Sequence, residues 1–248
     1  MKRTYLNPPV SEAICEIRIP PETEWDLTIP GLYFARVSDE LPLKEQRRIR
    51  NVEVMMGEEG LREELLIRER MQFFTADRNV GVQVGPHLLV VNMLRPYSSW
   101  SRFRPRIEHA FSVLQDLVKV PELSGLELRY INVVRIPIVD AEPQEYFTIV
   151  PVFGAVFPGL PHSFLSGCEI PYAEGRDACR VEITDAIPER EDETAFLLDI
   201  DYFLSVPNRI PADMFIDWLN QAHERVIEIF ELCITDSARV LFKEGKER

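Results

Sequence analysis

The run Leu198-Asp-Ile-Asp-Tyr-Phe-Leu204 contains the first pair of residues whose type and spacing could do chemistry. The run is β-rich, and residues two apart on a strand share a face, so Asp199 and Asp201 project together. Glu182 and Arg180 project from the preceding strand-like run and can lie alongside. Carboxylates gathered in this way hold Mg²⁺ through oxygen ligands, and the metal then polarises a phosphoryl group. The plainer reading is the polar face of a hairpin with a cross-strand ion pair. A Gly-rich phosphate loop would favour the metal reading, yet G-x-x-x-x-G-K-[ST] and G-x-G-x-x-G are both absent.

A second constellation is Arg95, Tyr97, Trp100, Arg102, Arg104 and Arg106, all within Arg95-Pro-Tyr-Ser-Ser-Trp-Ser-Arg-Phe-Arg-Pro-Arg106. Arginines interleaved with aromatic rings can pair phosphates and stack bases. The competing reading makes Trp100 and Phe103 the first core-facing turn of a helix, with the arginines paired to surface carboxylates. The four histidines (His87, His109, His162 and His223) are far apart, with no metal-binding or protease spacing. Cys15, Cys168, Cys179 and Cys233 are scattered through apolar or strand-like contexts, where a free thiol behaves as a small hydrophobe. No nucleophile has a nominated base, so no catalytic residue and no cofactor is assigned.

The elements that must position these residues follow from hydrophobic period and turn signals. Glu12 to Ile19 alternates and stops at Pro20-Pro21, which reads as a strand. Gly31 to Leu41 is a short helix, and Lys44 to Arg50 a loop or strand start. Val52 to Met56, Glu64 to Thr75, Val80 to Val84 and Leu88 to Leu94 form a meander, separated by Gly57-Glu-Glu-Gly60, Asp77-Arg-Asn79 and Gly85-Pro86. A helix follows, because Trp100, Phe103, Ile107, Phe111 and Leu114 recur at steps of three and four.

Leu126 to Val139 is then a long strand. Cys168 to Tyr172, Cys179 to Ile187 and Ala195 to Val206 are three more, and a helix opens at Pro211 with Phe215, Leu219, Ala222, Val226 and Cys233 on its apolar stripe. Between the halves, Tyr146 to Cys168 is uncharged and of membrane-span length, but its prolines and glycines break any spanning helix. Its Phe147, Val150, Phe153, Val156, Phe157, Leu160 and Phe164 either cap the sheet or form a patch for a partner or a second copy.

The expected fold is therefore α+β, a mainly antiparallel sheet with two long amphipathic helices on it. It divides into two similar meander-plus-helix halves, 1–139 and 140–248, within one compact unit. At 248 residues, 46% hydrophobic and 28% charged, the chain can bury roughly three quarters of its unfolded surface without a disulfide or metal staple. A net charge of -13 argues against bulk nucleic-acid binding and anionic membranes. The start of the chain has no apolar signal-peptide core, and with scattered cysteines a reducing cytoplasm is the expected compartment. Of the 28 basic residues, 23 are Arg, whose planar fork suits pairing with the 41 carboxylates.

Several segments together resemble one family of sporadically distributed, uncharacterised microbial proteins of about this length. They are Leu6 to Ile19, Val82 to Asn92, Pro96 to Phe103, Leu128 to Pro137, Leu198 to Asp201 and Ala222 to Phe230. The resemblance spans nearly the whole chain and implies that the halves belong together, but it implies no activity, cofactor or catalytic residue. The leading expectation is a non-enzymatic binding or interaction protein, with a protein partner or a second copy of itself. It would use the aromatic connector or the stretch holding Arg95, Tyr97, Trp100, Arg102 and Arg104. The alternative is a metal-dependent phosphoryl-transfer or hydrolytic enzyme centred on Glu182, Asp199 and Asp201.

Overall fold

The computed structural model describes residues 3–57, 60–151 and 163–245, and the side chains among them other than those of 48–68 and 244. Nine strands make one sheet: β1 (Val10–Arg18), β2 (Leu43–Gly57), β3 (Gly60–Phe74), β4 (Val80–Gly85), β5 (Leu88–Leu94), β6 (Gly125–Ile136), β7 (Leu165–Tyr172), β8 (Asp177–Ala186) and β9 (Thr194–Leu204). Their order is β2-β3-β4-β5-β1-β6-β9-β8-β7, and every neighbouring pair is antiparallel. The chain is thus α+β with a mainly antiparallel sheet. Four helices accompany it: α1 (Ile29–Val37), α2 (Trp100–Gln115), α3 (Phe215–Cys233) and α4 (Asp236–Phe242).

The basic run Lys44 to Arg50, open between loop and strand on its sequence, lies inside β2. Its charge does not prevent pairing, because an edge strand needs only one bonded side. The second long helix begins at Phe215, four residues after Pro211, with a short 3-10 turn at Ala212–Met214 between them. Gly81 lies opposite Phe74 in the β3–β4 ladder, where a Cβ would meet the Phe74 ring at 2.9 Å, so this glycine makes room for an aromatic side chain.

Alternation separates two chemistries across the sheet. On β6 the buried set is Leu126, Leu128, Tyr130, Asn132, Val134 and Ile136, whereas Glu127, Arg129, Ile131, Val133 and Arg135 face the other way. The first set joins a single core with Ala13, Cys15 and Ile17 of β1, Leu198, Ile200 and Tyr202 of β9, and the apolar stripes of the helices. Helix α2 contributes Phe103, Ile107, Phe111 and Leu114 and packs on β5, while α3 contributes Leu219, Ala222 and Val226 and packs on β9 and β6. The two helices run antiparallel and touch, since Phe111 meets Phe215 at 4.8 Å and Trp100 meets His223 at 4.0 Å between ring centroids.

One buried carboxylate ties α3 to this sheet. Asp177, at the start of β8, is 0% exposed. It accepts hydrogen bonds from Arg176 Nη2 at 2.6 Å, Tyr202 Oη at 3.0 Å and Trp218 Nε1 at 3.1 Å. Replacing Asp177 with Ala strands a guanidinium, a phenol and an indole N–H that were satisfied together. Breaking one side of a buried pair typically costs about 3–5 kcal/mol. Chemical denaturation of D177A is expected to show a loss in that range; a loss below about 1 kcal/mol would remove Asp177 as an anchor.

Candidate functional site

A cavity of 330 Å³ lies between the starts of β1 and α2, the middle of α3 and the sheet. Its floor is Val10 of β1, Tyr130 and Asn132 of β6 and Ile200 of β9. Tyr97, Ser98, Ser99 and Trp100, leading into α2, form one wall. His223, Val226, Ile227 and Phe230 of α3 form the other, and Tyr5, Pro8, Pro9 and Glu231 complete it. Such volumes fall at the lower end of ligand pockets, about 300–1,000 Å³.

A hydrogen-bonded chain crosses the floor. The Tyr97 and Tyr130 hydroxyls are 3.1 Å apart, and Tyr130 Oη lies 3.3 Å from His223 Nδ1. The imidazole of His223 stacks on the Trp100 indole, with only 8° between the planes. Burial pushes the Tyr97 phenol up to about 12 and holds that of Tyr130 well above its ordinary value, so both stay protonated at neutral pH. Glu231 accepts from Tyr5 Oη at 2.6 Å and from Arg239 Nε at 3.1 Å, so its charge is matched before any ligand arrives.

Of the Arg–aromatic stretch, the fold brings Tyr97 and Trp100 to the cavity and directs the arginines elsewhere. Arg95 donates to Glu189, Arg104 to Glu108 one turn along α2, and Arg106 to Glu40. Arg102 is exposed and does not line the cavity. Trp100 is partly buried and packs against the core, so its core and cavity roles coincide. Sequence reasoning missed Tyr130, Asn132 and His223. The signal for the first two was the alternation of β6, in which Asn132 is the one amide on an otherwise apolar or aromatic face. His223 carried no signal, because its importance comes from the residue opposite it on α2.

Glu182, Asp199 and Asp201 do share one face, on the far side of the sheet from the cavity, and with Arg129 and Arg180 they line a cleft of 60 Å³. That is room for a few water molecules at most. Arg180 makes a cross-strand ion pair, with Glu169 opposite it on β7. Asp199 is held by Arg129, with Nε to Oδ1 at 2.9 Å and Nη2 to Oδ2 at 2.5 Å. A guanidinium therefore sits where the metal reading needs a cation. Among the described residues no group of three or more His, Cys, Asp or Glu side chains could hold a metal ion.

Cys15, Cys179 and Cys233 are buried as small hydrophobes, but Cys168, on the edge strand β7, is exposed. In the connector, Phe147 is buried against Phe196 and Phe164 packs beside it, at 5.5 and 6.0 Å, while Val150 is half-buried. Phe153, Val156, Phe157, Leu160 and His162 lie outside the described residues. Among the described residues no helix is long and apolar enough to cross a membrane. No family model matches the chain, and no curated protein matches it.

Asp201 makes the charged face pH-sensitive. Burial first, and then the Glu127 carboxylate, push its carboxyl up to about 8, against the pull of Arg129. Its Oδ1 is buried without a hydrogen-bond partner. The folded chain thus holds a proton that the unfolded chain releases near the ordinary aspartate value of 3.8. Stability contributed by this site is complete below that value and declines as pH rises toward 8, by at most about 1.4 kcal/mol per pH unit. Asp201→Asn is expected to flatten the decline and raise the melting temperature at pH 8. An unchanged slope between pH 5 and 8 would refute the assignment.

Proposed function

We propose that the protein is a non-enzymatic binding protein whose ligand seat is the 330 Å³ cavity between α2, α3 and the centre of the sheet. The observation that carries this reading is the Tyr97–Tyr130–His223 chain inside an aromatic-walled cavity. The phenols are locked as neutral hydrogen-bonding groups beside an imidazole–indole stack. That arrangement suits orientation of a small molecule, the usual division of labour between apolar walls and a few placed polar groups.

The location supports the same reading. Outward from the central β1–β6 ladder, the strands run β1-β5-β4-β3-β2 on one side and β6-β9-β8-β7 on the other. In each half the central strand comes first in the chain, the later strands (four in the first half, after α1, and three in the second) run inward from the flank, and a helix follows. We read this as two similar halves, and the cavity draws residues from both. The family-like segments Leu6 to Ile19, Pro96 to Phe103, Leu128 to Pro137 and Ala222 to Phe230 all contribute to its lining, which fits a shared role.

The test is a fragment screen on the whole chain by thermal shift, with hits confirmed by saturation-transfer NMR. Small aromatic fragments are expected to bind the wild-type chain. Val226→Trp, which fills the cavity, and Trp100→Ala, which removes its wall, are each expected to weaken them at least about tenfold, a loss of about 1.4 kcal/mol. A screen without hits, or hits indifferent to both substitutions, would sink the reading.

A further inference from the structure

The cavity also discriminates by the direction of its hydrogen bonds, an inference that rests on the reading just given. Asn132 is 2% exposed and lines the cavity floor. Its Nδ2 donates to the Tyr130 carbonyl at 3.2 Å and to the Leu198 carbonyl at 3.1 Å. Those two bonds use both amide protons and fix which way the amide faces. Its Oδ1 is left with no partner among the described residues. An accessible amide oxygen that no protein donor uses is a position a ligand's donor can take.

The rest of the polar lining has the same bias. With His223 Nδ1 as the acceptor, both hydroxyl protons are used within the chain, which leaves hydroxyl oxygens able to accept. The Glu231 carboxylate is matched by Tyr5 and Arg239, and Arg3 is itself engaged. The cavity thus offers acceptors beside a carboxylate that is already matched. An anion meets no free cation there, and it approaches a chain of net charge -13. A cation would be desolvated without a counter-ion. The Trp100–His223 slab and the rings of Tyr97 and Phe230 favour a flat molecule.

We propose that the cavity binds an uncharged, planar heteroaromatic molecule whose ring N–H donates to Asn132 Oδ1. Indole is the probe, and benzofuran, which replaces the N–H by an oxygen at nearly constant shape, is its control. Titration calorimetry on the full chain is expected to give indole a Kd about five- to tenfold below that of benzofuran, the size of one hydrogen bond. In Asn132→Leu, which removes the acceptor, the preference is expected to vanish or reverse.

Equal affinity of the two probes for the wild-type chain would overturn the donor assignment and leave the cavity reading intact. Binding of charged fragments alone would overturn the proposal in the same way. If neither probe nor any screened fragment binds, the underlying binding reading fails with it. The wild-type comparison decides the matter by itself should Asn132→Leu not fold.

Discussion

A fully buried carboxylate constrains the arrangement of everything around it. Asp177 cannot sit at 0% exposure unless several donors converge on it, and those donors come from Arg176 beside it, Tyr202 on β9 and Trp218 on α3. Satisfying this one group fixes the height and rotation of α3 over the sheet. His223, five residues beyond Trp218 on the same helix, is thereby set above Tyr130, and the indole of Trp100 closes on it from α2. The cavity is a consequence of how α3 is anchored. Apolar burial alone is less directional, and would leave a helix freer to slide.

The sheet then works as a partition. Because side chains alternate, β6 and β9 present Tyr130, Asn132 and Ile200 to the cavity while turning Arg129, Asp199 and Asp201 to the opposite face. On that face Arg129 forks onto Asp199 and Arg180 pairs with Glu169, so a guanidinium already occupies a carboxylate that a metal would need. On the cavity face two phenols and an imidazole are linked by hydrogen bonds. One pair of neighbouring strands thus serves a charged surface and an aromatic-walled recess on opposite faces.

Spacing along the chain was enough to determine the class of fold and the contents of most elements. The period-two runs became β1, β4, β5, β6, β8 and β9 because one face of each had a core to enter, and the stripes from Phe103 to Leu114 and from Phe215 to Cys233 became α2 and α3 for the same reason. Boundaries moved where local signals were weak. The strand β2 reaches through a basic run that lacks alternation, and a 3-10 turn stands between Pro211 and the helix it seemed to open.

The candidate site was only half legible, and the reason is physical. Tyr97 and Trp100 were visible because an aromatic pair just before and within a helix start is a local pattern. The arginines beside them looked equally functional, yet each one's direction depends on which carboxylate a distant segment supplies: Glu189 for Arg95 and Glu40 for Arg106. Asn132 could be read from its strand as a polar residue on an apolar face, but the fact that both its amide protons are used by carbonyls depends on the neighbouring strand β9. The sequence by itself determined which residues face inward. Only the tertiary structure decided which inward-facing residues meet, because the meeting of β6, α2 and α3 is governed by long-range packing around a buried charge that no local pattern encodes.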